Sequence, residues 1–173
     1  MSSSPEREVL TWELFGEAAR ELARSIARSK FQPDMVIAVA RGGLLPAGAI
    51  SYALGVKAAG TLNVEFYSDI EETLPDPVLL EPLLDTAAIV GKRLLVVDDV
   101  ADSGRTLDLV LDVLRNHHPD EVRSAVLYTK PRTMVQPDYS WRETDLWINF
   151  PWSTQPPVVG SSDETVGVVN DIP

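Results

Sequence analysis

Between residues 11 and 30, Phe15, Ala18, Ala19, Leu22 and Ile26 recur at the three- and four-residue spacing of an amphipathic helix. Thr11 stands where an N-cap belongs, basic residues gather toward the end, and Pro33 closes the pattern. The period then changes. MVIAVA (35–40) is an unbroken apolar run, the signature of a strand buried on both faces. RGGLLPAG turns the chain into a short helix, with Pro46 near its start and Gly55 past its end. Residues 56–66 read as a second strand and Arg93–Val97 as the next buried one. Leu107, Val110, Leu111 and Leu114 mark a helix, 122–129 another strand, and Leu146–Phe150 a shorter one. Between them, 67–90 has no clean period and three prolines, so it reads as a functional lid or an irregular excursion.

The order strand, helix, strand, strand, helix, strand predicts an α/β fold, an open and mainly parallel sheet flanked by helices. At 173 residues the whole chain, 1–173, is expected to be one domain. The first ten residues and 158–173, rich in Ser, Pro and acids, are expected to be loose tails.

Composition narrows the function. No run of ~20 apolar residues suggests a membrane span, and the polar N-terminus lacks the basic-then-apolar pattern of a signal peptide. The absence of cysteine excludes disulfides and thiolate metal sites and fits a reducing cytoplasm. A net charge of −11 discourages nucleic-acid binding, which depends on Lys and Arg against phosphates. The only histidines, His117 and His118, are adjacent and read as the polar end of a helix rather than part of a triad or zinc site.

One segment carries chemistry. In LLVVDDVADSGRT (94–106) a buried strand runs straight into Asp98 and Asp99, then a turn of small and hydroxyl residues opens onto a helix. Ligands of open parallel sheets lie beyond the carboxyl ends of the strands. A helix N-terminus there offers unpaired N–H groups and partial positive charge. Ser103 and Thr106 add hydroxyl donors, and Gly104 permits close approach, so Ala101–Thr106 suits a phosphate monoester. The carboxylates would repel that phosphate; being acceptors only, they need hydroxyl donors or a cation. A ribose 5-phosphate satisfies both demands. The alternative is a solvated acidic turn with an ordinary cap. Neither G-x-x-x-x-G-K-[ST] nor G-x-G-x-x-G occurs.

The segment VVDDVADSGRT resembles the phosphoribosyl diphosphate (PRPP) signature of the type I phosphoribosyltransferases. VARGGLLPA (39–47) is similar to their pyrophosphate loop; YTKP (128–131) and DLWINFPWS (145–153) resemble the base-binding half of the xanthine–guanine and hypoxanthine–guanine members. The resemblance spans 36–153 with its motifs in the family's order, and it implies a small base-binding hood on the sheet.

By that resemblance Asp98 and Asp99 hold the ribose hydroxyls, while Ala101, Asp102, Ser103, Gly104, Arg105 and Thr106 take the 5-phosphate. Asp102 is the implied general base for the purine N7 proton; its plainer role is a helix N-cap, and the two are compatible. Arg41, Gly42 and Gly43 are implied to bind pyrophosphate, glycine N–H groups turning toward the anion, with a cis peptide at Ala40–Arg41. Lys130 is implied to donate to the purine 6-oxygen; an ammonium, with three donors and no acceptor, suits a 6-oxopurine and mismatches adenine. Trp147 would stack on the base, and carbonyls near Trp147 and Ile148 would accept from its 2-substituent; Trp152 reads as packing. Magnesium would bind mainly through the diphosphate and sugar hydroxyls, with Asp98 and Asp99 acting indirectly.

The implied reaction moves the phosphoribosyl group of PRPP to N9 of guanine, xanthine or hypoxanthine for purine salvage, releasing pyrophosphate. The implied enzyme is cytoplasmic and associates as a dimer or tetramer. The family's lid has a Ser-Tyr pair where this chain reads Phe66-Tyr67-Ser68, so Tyr67 and Ser68 receive no role. Two alternatives remain: a PRPP-sensing regulator of the same fold, and an enzyme acting on a different heterocycle. The charge and length speak against the regulator, which usually adds a nucleic-acid surface or a domain.

Overall fold

The unbroken apolar runs become the central strands of a sheet covered on both faces. A computed structural model of the chain describes residues 6–67, 76–79 and 84–159. In chain order the elements are β1 (Arg7–Val9), α1 (Trp12–Arg28), β2 (Met35–Ala40), α2 (Leu44–Leu54), β3 (Ala59–Tyr67), β4 (Asp76–Leu79), a 3₁₀ turn (Thr86–Ile89), β5 (Arg93–Ala101), α3 (Arg105–Arg115), β6 (Glu121–Thr129), β7 (Tyr139–Glu143) and β8 (Trp147–Asn149). Six strands form one sheet in the order β4-β3-β2-β5-β6-β7, parallel except for the β3–β4 pair.

Alternation explains why Met35–Ala40 of β2 and Leu94–Val97 of β5 lack polar positions. Val36, Ala38, Leu95 and Val97 pack on one face against Ala18, Ala19, Leu22 and Ile26 of α1 and Ala47 and Ile50 of α2. Ile37, Val39, Leu94 and Val96 face the other way, onto Leu107, Val110, Leu111 and Leu114 of α3. Each successive side chain enters a core, so neither face can carry charge. Thr11 caps α1 as expected, its Oγ1 accepting from the Leu14 N–H at 3.2 Å. The helix ends at Arg28, well before Pro33, and the chain turns through Lys30 at φ 64°.

The chain leaves β2 toward β3 on one side and β5 toward β6 on the other, with α2 and α3 on opposite faces. The sheet therefore switches direction between β2 and β5, the place where a crevice opens beyond the strand ends.

Three expectations change. Residues 1–10 are not all loose: β1 pairs in parallel with β8, Arg7 opposite Trp147, and Leu10 is buried behind it. This two-stranded sheet is the hood. A strand of three residues flanked by charge has too short a period to announce itself. Next, the 67–90 segment is partly built into the fold: β4 is the antiparallel edge strand, with Pro77 at an edge as proline requires, and Ile89 is fully buried. Tyr67 is the last residue of β3, whereas Ser68 lies outside the described residues. Finally, β7 was not foreseen; YSWRE buries only Tyr139 fully and so shows no clean alternation. At the other end Val158 and Val159 are exposed, and the rest of the 158–173 tail lies outside the described residues.

Leu127, on β6, is wholly buried among these side chains. Leu127→Ala is expected to lower unfolding stability by about 2–5 kcal/mol. Urea titration should show an earlier midpoint with an unchanged slope.

Candidate active site

The site begins where β5 stops behaving as an ideal strand. Consecutive strand side chains point to opposite faces, which should separate Asp98 from Asp99. Up to Val97 the alternation holds; beyond the acid pair it is reversed, with Val100 packing on the α1/α2 side and Ala101 on the α3 side. The slip falls at Asp98–Asp99, where the Asp99 N–H donates to Asp98 Oδ1 at 2.8 Å. Both aspartates consequently line one cavity of about 400 Å³, with Val39, Ala40, Ala101, Asp102, Ser103, Gly104 and Thr106. Ala101 belongs to the strand rather than to the turn, paired with Thr129 and buried.

The loop after β2 closes one wall. The Ala40–Arg41 peptide is cis, as the resemblance implied. Gly42 lies so close to Asp99 that any side-chain carbon there would strike the carboxylate. Gly43 does not turn its N–H outward; it donates to the Val39 carbonyl at 2.8 Å. Arg41 is exposed and is not among the residues lining the cavity.

The tip of α3 closes the other wall. Gly104 is the N-cap at φ 85°, pressed under the chain at Thr133–Val135, so it needs both the left-handed backbone and the missing side chain. Ser103 Oγ accepts from the Arg105 N–H at 3.3 Å, while the N–H groups of Thr106 and Leu107 have no intrahelical acceptor, since the helix ladder starts with Asp108 N–H to Gly104. Asp102 is therefore not the N-cap. Its Oδ1 instead accepts from Arg132 Nε at 2.7 Å, an ion pair about half open to solvent.

Asp102 also borders a second cavity, of about 470 Å³, under the hood: Val100, Lys130, Trp147, Ile148, Asn149 and Phe150 line it, with Arg7 reaching in from β1. Lys130 is buried, its ammonium donating to the Leu146 carbonyl and its backbone N–H to the Ala101 carbonyl. Trp147 is exposed, a free aromatic face at the cavity mouth. Trp152 packs as expected, stacked on Phe150 with ring centroids 5.0 Å apart. The structure thus brings together the acid pair, the helix tip, the R-G-G loop, Lys130, Trp147 and Ile148. It adds Arg132, Arg7 and Asn149, which sequence reasoning passed over. Arg132 follows Lys130 by two residues at a strand exit, a detectable position; Arg7 looked like tail.

Burial pushes the Asp98 carboxyl well above the usual carboxylate range, and the charge of Asp99 beside it acts the same way. Burial raises Asp99 too, opposed by the Val100 N–H it accepts. An acid desolvated this way is a poor neighbour for a bare anion and a strong acceptor for hydroxyls.

A family model described as "Phosphoribosyl transferase domain" matches residues 6–157. The chain is 33% identical over 161 residues to the xanthine-guanine phosphoribosyltransferase of Gluconobacter oxydans, covering 90% of this chain and 92% of that one. Among solved structures it is similar to a purine phosphoribosyltransferase from Pyrococcus horikoshii, with TM-score 0.75, 35% identity, 90% of this chain covered and 98% of the other. It is also similar to the Helicobacter pylori xanthine-guanine-hypoxanthine phosphoribosyltransferase, with TM-score 0.72, 25% identity, and 85% and 94% covered.

A carboxyl whose pKa rises on folding favours the folded state fully only below its unfolded value of about 4, and that contribution is lost as pH rises through the folded value. Asp98→Asn keeps an oxygen for the Asp99 N–H and removes the charge. The ligand-free variant is expected to melt above the parent at pH 7, the gap closing as pH is lowered toward 4. Calorimetric scans across that range would reveal it.

Proposed function

The chain belongs to the phosphoribosyl transferase family, and from that premise we propose that it moves the 5-phosphoribosyl group of PRPP to N9 of a 6-oxopurine, for purine salvage. One observation carries this: the acid-floored cavity and the hood cavity meet at Val100 and Asp102. A sugar phosphate in the first puts its C1 at that junction, and a flat base in the second puts its imidazole there.

The residues take roles that follow from their chemistry. Asp98 and Asp99 accept from the ribose 2- and 3-hydroxyls. The hydroxyls of Ser103 and Thr106 and the α3 N–H groups hold the 5-phosphate, with Gly104 and Arg105 completing the turn and Ala101 ending the strand behind it. Arg41 and the Gly42–Gly43 loop receive the diphosphate. Lys130 donates to the 6-oxygen, Trp147 stacks, and the Trp147–Ile148 backbone meets the 2-substituent. In the transfer, N9 supplies the electron pair for the new bond to C1, and the diphosphate leaves with the old one. The N7 proton passes to Asp102, whose Oδ1 is held by Arg132 while Oδ2 accepts.

Among the described residues no three His, Asp or Glu side chains cluster as a metal cage. Two adjacent carboxylates, however, suit a hard cation that arrives with the substrate and keeps its other ligands in phosphate oxygens and water. Magnesium would fit there, near Asp98 and Asp99, and would neutralise charge on the departing diphosphate. The exposed Leu44, Leu45 and Tyr52 of α2 support a homo-oligomer. No helix among the described residues is long and apolar enough to cross a membrane. PRPP is too highly charged to cross a bilayer unaided, which supports an enzyme working in the cytoplasm where PRPP is made.

Incubated with PRPP, magnesium and guanine, xanthine or hypoxanthine, the protein is expected to yield the nucleotide, read by chromatography. Absence of product from all three would refute the assignment. Asp102→Asn should cut turnover about 10²- to 10⁴-fold, and Lys130→Ala should lower kcat/KM while weakening the rejection of adenine.

A further inference from the structure

The hood cavity holds a cation that the transfer just described does not use. Arg7, on β1, lines it with Asp102, Lys130, Trp147, Ile148 and Asn149. Its Nη1 donates to Asn149 Oδ1 at 3.1 Å, across the β1–β8 pair that sets Arg7 opposite Trp147. The other charged side chain of β1, Glu8, is engaged elsewhere, accepting from Tyr128 and paired with Arg142. Arg7 alone of the strand's charges reaches the cavity.

If the base lies as proposed, its orientation leaves one edge for this wall. N9 points to the sugar, N7 to Asp102 and the 6-oxygen to Lys130. Position 2 then faces the Trp147–Ile148 backbone, Asn149 and Arg7, in a lining completed by the hydroxyls of Ser153 and Thr154, the latter donating to the Phe150 carbonyl. Those groups divide by type. Backbone carbonyls only accept, so they match the 2-amino group of guanine. Arg7 only donates, and Asn149, one lone pair of whose Oδ1 is taken by Arg7, adds the two donors of its NH₂. The Arg7 and Asn149 donors match a 2-oxo group, and Arg7, with no acceptor, mismatches a 2-amino group. Xanthine is also the most acidic of the three purines, and its anion spreads charge onto the 2-oxygen, toward a guanidinium.

We propose that Arg7, oriented by Asn149, reads the purine 2-position and makes xanthine a substrate, alongside guanine, which relies on the carbonyls. The proposal rests on the assignment of the hood cavity to the base. Arg7 is an exposed residue on a two-stranded sheet whose backbone pairing does not involve its side chain, so replacing it leaves the fold intact.

The test is steady-state kinetics of the parent, Arg7→Met and Arg7→Lys with all three purines. Arg7→Met is expected to lower kcat/KM for xanthine about ten- to a hundredfold, the usual worth of a charge-assisted hydrogen bond. Hypoxanthine, which has no 2-substituent, should be unaffected and reports on folding in the same preparation; guanine should hold or improve. Arg7→Lys, which keeps the charge without the fork, should fall between. Equal losses on all three purines would make Arg7 a mere staple between β1 and β8 and overturn the proposal, as would an unchanged xanthine rate. Failure of the parent protein with every purine would remove the base assignment itself, and this proposal with it.

Discussion

Two carboxylates side by side at the end of a buried strand repel each other and resist desolvation, and the surroundings of Asp98 and Asp99 answer that cost. The strand alternation slips at the pair, so that both acids reach one cavity instead of one being driven into a core. Gly42 lets the neighbouring loop approach the Asp99 carboxylate without a side chain in the way. Burial nonetheless keeps both acids above their ordinary range. In the proposed function, a ligand rich in hydroxyls supplies donors that such carboxylates accept.

The rest of the site follows from where that pair stands. β2 and β5 are neighbours whose connections leave in opposite directions, so the R-G-G loop and the α3 tip diverge around a crevice with the acids at its floor. The helix tip suits an anion that the acids would repel, and in the proposed function this opposition orients the sugar phosphate. Asp102 lies where that crevice meets the hood, its Oδ1 tied to Arg132, so in the proposed function the base and the sugar meet beside this carboxylate.

How legible this was depended on how local the signal is. The central strands could be read because both their faces are buried, and the phosphate turn because its residues are contiguous and chemically unusual. The R-G-G motif is plain in the sequence but its physics is not: Gly43 spends its N–H on Val39, and Gly42 serves close approach to Asp99. That contact joins two loops distant in sequence, and no local pattern encodes it. The hood was half visible. Trp147 and Ile148 stood out through resemblance, but their partner strand, Arg7–Val9, was read as tail because three residues carry no period. Asp102 was offered as an N-cap; Gly104 holds that position, and only the fold reveals that Arg132 engages the carboxylate.

The central claim is that the acid pair binds a vicinal diol while the helix tip binds the phosphate of the same molecule. Calorimetric titration of ribose 5-phosphate against 2-deoxyribose 5-phosphate, with magnesium present, tests it most directly. The account predicts that loss of the single 2-hydroxyl weakens binding about tenfold or more, because a charge-assisted hydrogen bond to a desolvated carboxylate disappears. Equal affinity for the two sugars would contradict it.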